Sequence, residues 1–164
     1  MNDRKLFIAV DPGVNGGIAA RFPATATNSR PHVVACRWPG EADAVALVKE
    51  LAEFAKTENV PAEAVIELVG GYIKGRSAPG SAMFNFGKNF GFWSATFLCS
   101  EIPLRLIRPQ AWQKGLNIKA SDKNRKKALK EIAAKLFPDL RVSLQTADAL
   151  LILDYAQHRL HSEN

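Results

Sequence analysis

Cysteine is almost missing from these 164 residues: Cys36 and Cys99 stand alone, with no C-x-x-C or Cys/His spacing, and the three histidines are scattered. That excludes a disulfide scaffold and a Cys/His zinc site, and it makes both cysteines read as small buried apolar residues. Long apolar runs are missing too, and none approaches the roughly 20 residues that cross a bilayer. Met1 to Lys5 lead straight into a strand-like run, without a signal-peptide apolar segment or an Arg/Ser-rich transit segment, so a soluble intracellular protein with no membrane partner is expected. Internal repeats, low-complexity tracts and linkers are likewise absent. A chain of this length buries about two thirds of its unfolded surface, and a single domain spanning 1–164 is expected.

What the chain has is unevenly placed charge. The formal net charge is +6, yet the stretch from Arg105 to Lys135 holds ten cations against Asp122 and Glu131, which leaves the remainder slightly acidic. A positive field gathered on one part of a fold suits a polyanionic partner, although a solvated lysine-rich helix face has the same composition.

The periodicities predict an α/β domain. Lys5–Asp11 is a short apolar run stopped by Pro12-Gly13, and Gly17–Phe22 and Pro31–Arg37 follow at hairpin-like intervals, giving three antiparallel strands. Helical spacing marks Glu41–Lys56, and Ala64–Val69 is a buried strand that a parallel crossover lays on the first. Met83–Leu98 is an aromatic-rich buried helix, Ile102–Arg108 a fifth strand, and Thr146–Leu160 a final apolar helix. Ser121 is the expected N-cap of a basic helix over Asp122–Leu136, with acid in its first turn. The expected architecture is a mixed five-stranded sheet, three antiparallel strands and then two parallel, flanked by helices.

Buried strands seldom carry a carboxylate, because desolvating it unpaired costs several kcal/mol. Asp11 and Glu67 both end such strands. As parallel neighbours they meet at the carboxyl ends, where ligands collect in α/β sheets, and helix packing can bring Asp148 to the same point. Singly, each acid has an ordinary explanation as a turn residue, a strand-end ion pair or a helix first-turn acid. Together, three anions without basic partners would repel one another unless hard divalent cations neutralise them. Two Mg²⁺ (or Mn²⁺) ions roughly 4 Å apart would stabilise both the attacking water and the leaving oxygen of a phosphodiester.

The ordered set Ile8–Gly13 with Gly16-Gly17, Ile66-Glu67, Phe84–Gly91, Arg108–Trp112, Leu136–Asp139 and Ala147–Leu150 resembles the RuvC family of Holliday-junction resolvases, in particular its chloroplast and phage-type branch. The resemblance covers nearly the whole chain. It implies an RNase H-like fold, a metal-dependent endonuclease resolving four-way junctions by paired nicks, a homodimer, and a cytoplasmic, nucleoid-associated protein of a bacterium or phage-infected cell. By this likeness Asp11, Glu67 and Asp148 are the metal-binding acids, while Lys114 and Lys123 fall near lysines that approach the scissile phosphate. The pattern departs where the family carries a fourth ligand, here Gln145 and Leu144. Gln145, expected one helical turn from Asp148 on the same face, is the candidate weak ligand. It departs again after Glu67, where Gly70 replaces a base-wedging aromatic and Tyr72 is the nearest ring.

The Gly/Ser-rich stretch from Gly70 to Gly80 combines Tyr72 with Lys74 and Arg76, a stacking ring beside phosphate-binding cations. Lys88 is expected with Asn85 and Asn89 on an exposed helix edge. Lys119, Arg125, Lys126 and Lys127 are expected to hold DNA phosphates. The helix Phe residues, Trp93 and Trp112 read as core, with some apolar surplus for a dimer seam. Two alternatives stand beside a nuclease acting on branched DNA. One is a catalytically impaired junction binder of the same fold. The other is an actin- or sugar-kinase-like ATPase, which the short chain argues against.

Overall fold

A computed structural model of the chain describes residues 4–68, 80–118 and 124–158. The apolar runs at the start build an antiparallel meander of β1 (Leu6–Asp11), β2 (Gly17–Phe22) and β3 (His32–Arg37), with Asp11 opposite Gly17. A crossover through α1 (Glu41–Thr57) returns the chain as β4 (Ala62–Glu67), parallel to β1 with Val10 beside Ile66. A second crossover through α2 (Gly80–Cys99) adds β5 (Leu104–Ile107), parallel to β4. The chain continues through α3 (Pro109–Trp112), α4 (Arg125–Leu136) and α5 (Ala147–His158). The sheet order is β3-β2-β1-β4-β5, the mixed arrangement expected.

Strand alternation sorts the core between the two faces. Leu6, Ile8, Val10 and Ile66 pack with Val48, Leu51, Trp93 and Phe97 beneath α1 and α2. Phe7, Ala9 and Val65 pack with Leu150 and Leu153 of α5. Covered on both sides, every residue from Leu6 to Val10 is at most 2% exposed, and each large apolar side chain so buried contributes about 1.5–3 kcal/mol. Carried one step further, the alternation turns Asp11, after Phe7 and Ala9, and Glu67, after Val65, toward the α5 face.

Several expectations need correction. Cys36 and Cys99 are exposed, not buried, because Cys36 lies on the edge strand β3 and Cys99 is the last residue of α2. Phe84 is 72% exposed and so is not core, whereas Asn89, expected on an open edge, is buried. The basic helix starts at Arg125 behind an Asn124 N-cap and has no acid in its first turn. Residues 119–123, which include Ser121, lie outside the described residues. Gln145 precedes α5, in a turn closed from both ends: Ser143 N–H donates to Thr146 Oγ1 at 3.0 Å and Thr146 N–H to Ser143 Oγ at 3.1 Å. This is a reciprocal cap with threonine in the usual Glu/Gln place. Ala147 N–H donates to Ser143 O at 3.1 Å, so Gln145 lies in the capped turn just ahead of α5, three residues before Asp148.

Candidate active site

Asp11 closes β1 and turns straight into Pro12-Gly13. The turn serves the carboxylate: Gly13 N–H donates to Asp11 Oδ1 at 3.2 Å, and Gly16 N–H donates to Gly13 O at 2.8 Å. Gly16 lies directly on the acid. A Cβ there would stand 2.2 Å from Asp11 O and 2.7 Å from its Cγ, so the close approach requires glycine. A Cβ on Gly17 would stand 2.8 Å from Gln145 O, which seats the turn before α5 against the start of β2.

Glu67 closes β4 in the neighbouring register and is buried. Its Oε1 accepts the indole N–H of Trp112 at 2.9 Å. Arg108 and Pro109 follow β5 at the same end of the sheet, and Pro109 starts the short α3 that carries Trp112 to the acid. Asp148 enters from the first turn of α5, with Lys126 Nζ at 3.8 Å from its Oδ2. Arg125, beside Lys126 at the start of α4, donates from Nη2 to Gln113 Oε1.

The charges show that these groups share one place. Burial lifts the Glu67 carboxyl to about 7, the negative Asp11 and Asp148 add to the rise, and the Trp112 N–H and the Arg125 charge oppose it. Burial and Asp11 lift Asp148 to about 6 against Lys126 and Arg125. Asp11 is raised by burial, opposed by the Gly13 N–H and by Lys126. Asp11 is thus the member whose charge acts on both others.

Three hard oxygen donors that destabilise one another's charge suit a divalent cation, which would remove that cost. Among the described residues, no three His, Cys, Asp or Glu side chains close around a single point. The acids are a cluster coupled through Asp11 rather than a finished cage. That fits Mg²⁺, which is commonly held by one or two carboxylates, waters and the substrate phosphate.

Of the residues singled out in the sequence, Asp11, Glu67 and Asp148 come together. Lys114 is exposed two residues beyond Trp112. Lys88 pairs with a different carboxylate, its Nζ 2.6 Å from Glu41 Oε1. Lys127 is exposed. Tyr72, Lys74, Arg76, Lys119 and Lys123 lie outside the described residues. Arg125 and Lys126, expected at backbone phosphates, stand where their charges act on the acids. Trp112 is core as expected, and sequence reasoning missed that it is also the hydrogen-bond partner of Glu67. Its position just past a strand parallel to β4 was the available signal.

No family profile and no curated protein matches the sequence. Solved structures do. The Thermus thermophilus RuvC structure is similar over 93% of this chain and 95% of that one, at 15% identity and a TM-score of 0.52. T. thermophilus RuvC in complex with Holliday junction substrate is similar over 94% and 96%, at 16% identity and a TM-score of 0.53. The fold is therefore RuvC-like, of the RNase H-like kind. Among the described residues, no helix is long and apolar enough to cross a membrane.

Proposed function

We propose that this chain is a metal-dependent, structure-selective endonuclease that resolves four-way DNA junctions by paired nicks. The observation that carries the reading is the placement of Asp11 and Glu67 at the adjoining carboxyl ends of the parallel strands β1 and β4, with Asp148 of α5 adding to the charge that lifts Glu67. A fold gains nothing from gathering buried like charges unless a ligand neutralises them. Asp11, Glu67 and Asp148 would hold Mg²⁺ or Mn²⁺, with Gln145 at most an outer contributor, and the ions would supply Lewis-acid activation of the phosphodiester and a water nucleophile at neutral pH.

The chain's own residues do the remaining work. The Gly13 N–H and the Trp112 N–H each hold one carboxylate oxygen, so Asp11 and Glu67 present their other oxygens in fixed directions. Lys126, and Arg125 behind it, place positive charge where a phosphate in the site gains negative charge during cleavage. Lys114 and Lys123 are assigned the same role by family likeness alone. The first turn of α4 carries Arg125, Lys126 and Lys127 with no acid, an arrangement opposed by the helix dipole that bound phosphates would relieve.

Two symmetrically related cuts call for a two-fold homodimer. In its support, α2 exposes Phe84 and Leu98 on a stripe that includes Gly87 and Gly91, beside which there is open space. The domain proposed to act is the whole of 1–164, working on DNA in the cytoplasm.

One observation favours a second reading, a branched-DNA binder without cleavage: the acids do not close into a three-ligand group among the described residues. Incubating a labelled synthetic four-way junction with and without Mg²⁺, beside linear duplex and fork controls, separates the two. Symmetric nicks that require Mg²⁺ support the nuclease. Retention of the junction without nicks supports the binder.

A further inference from the structure

A cleft of about 470 Å³ opens beside the acids, with Asp11 and Lys126 at one end. The turn residue Asn15 forms one wall, and Ser81, Asn85 and Phe86 of α2 form the other. The volume lies within the usual range of small-ligand pockets, about 300–1,000 Å³. Apart from Asp11 and Lys126, these walls are uncharged, and both asparagines are exposed. Neither amide makes a hydrogen bond to another described residue.

The α2 stripe explains why amides here call for a reason. Asn85, Asn89, Trp93 and Phe97 recur at helical spacing, and the last three are buried. Toward the C-terminal end the stripe packs under the sheet as Trp93 and Phe97, and toward the N-terminal end it opens into the cleft. Asn89 sits at the transition, and its Nδ2 is buried without a hydrogen-bond partner among the described residues. At Asn89 packing alone would place an apolar side chain, since a buried donor without an acceptor is costly.

We propose that this cleft receives one unstacked nucleobase of the DNA strand next to the cut, and that Asn15 and Asn85 determine which base is accepted. The inference rests on the nuclease reading and deepens it. An amide offers a donor and an acceptor side by side, the pattern that pairs with a base edge. Phe86 supplies a ring face on which any base can stack. Lys126 at the end of the cleft meets the phosphate, so a nucleotide with its base between the walls has its phosphodiester at Asp11. The cleft thereby couples base identity to the placement of the bond to be cut.

The test is a set of synthetic four-way junctions that differ only in the nucleotides at the crossover, cleaved with Mg²⁺ by wild type, Asn15→Ala and Asn85→Ala. Both substitutions are at exposed positions, so the fold is retained. Wild type should cleave the best junction about tenfold or more faster than the worst, the discrimination expected of one amide reading a base edge. Each variant should reduce that spread about fivefold with little change in junction affinity. A spread unchanged in both variants overturns the proposal and leaves the nuclease reading intact.

If wild type binds junctions but cleaves none, the nuclease reading fails while the cleft is still decided. Junctions carrying 2-aminopurine at each crossover position, bound in EDTA, should fluoresce more strongly at one position as that base leaves the stack, and Phe86→Leu should abolish the rise. No rise at any position overturns the proposal, and a chain that binds no junction overturns both.

Discussion

The Trp112 indole N–H donates to Glu67 Oε1 at 2.9 Å, with both residues buried. Among the described residues it is the one neutral donor that opposes the rise of this carboxyl, which burial and Asp11 push up to about 7. Trp112→Phe keeps the ring and removes the N–H. A hydrogen bond to a charged group is worth about 1.5–3 kcal/mol, which corresponds to about one pKa unit or more. Glu67 should therefore ionise later, and the acid limb of the cleavage rate against pH should move up by about one unit. A limb that stays in place would detach Trp112 from the chemistry.

Asp11→Asn or Glu67→Gln should abolish Mg²⁺-dependent nicking while junction binding persists, or tightens as repulsion of the phosphates falls. Gel retardation in EDTA and cleavage in Mg²⁺ read the two separately. Cleavage at wild-type rate by both variants would remove the acids from the active site.

Without divalent cation, the same carboxyls should make stability depend on pH. Glu67 moves from 4.5 in the unfolded chain to about 7 in the fold, and Asp148 from 3.8 to about 6. Between those values the folded state binds more protons, so stability falls as pH rises, from about 4 to about 7. For Glu67 alone the loss is about 3 kcal/mol. Thermal melts in EDTA should show Tm decreasing over that window and Glu67→Gln flattening the decrease. Added Mg²⁺ or Mn²⁺ should restore Tm at pH 8, and a Tm indifferent to both ions would count against a metal at these acids.

Gly16→Ala places a methyl group 2.2 Å from the backbone oxygen of Asp11. The turn must shift, at a cost of about 1–3 kcal/mol as in other overpacked sites, and Asp11 shifts with it. The variant should melt lower and cleave far more slowly. Gly87→Ala, with open space around it, should leave the melting temperature unchanged.

Lys126 and Lys127 are adjacent but should behave differently. Lys126 lies 3.8 Å from Asp148, so Lys126→Ala should lower cleavage at saturating DNA by about 100-fold, as when a group stabilising a developing charge is lost. Lys127→Ala should leave that rate unchanged and lower the salt slope of junction affinity by about 0.9. Slopes and rates measured over a salt series check both.

Much of this protein was legible in the residues. Short continuous apolar runs ending in Asp11 and Glu67, with a helical period between them, were enough for the mixed sheet, and the oddity of carboxylates on buried strands was enough to single out the acids. Local pattern carries that information because burial of a strand or helix face is written at fixed spacings. Which groups meet across the chain was another matter. Trp112 is 45 residues from Glu67, Lys126 is 22 from Asp148, and Gly16 presses on Asp11 only because a turn folds it back. Neither the burial of Asn89 nor the exposure of Cys36 and Phe84 follows from residue type. Those depend on where sheet edges fall and which helix covers which strand, and such contacts form only when the whole chain packs.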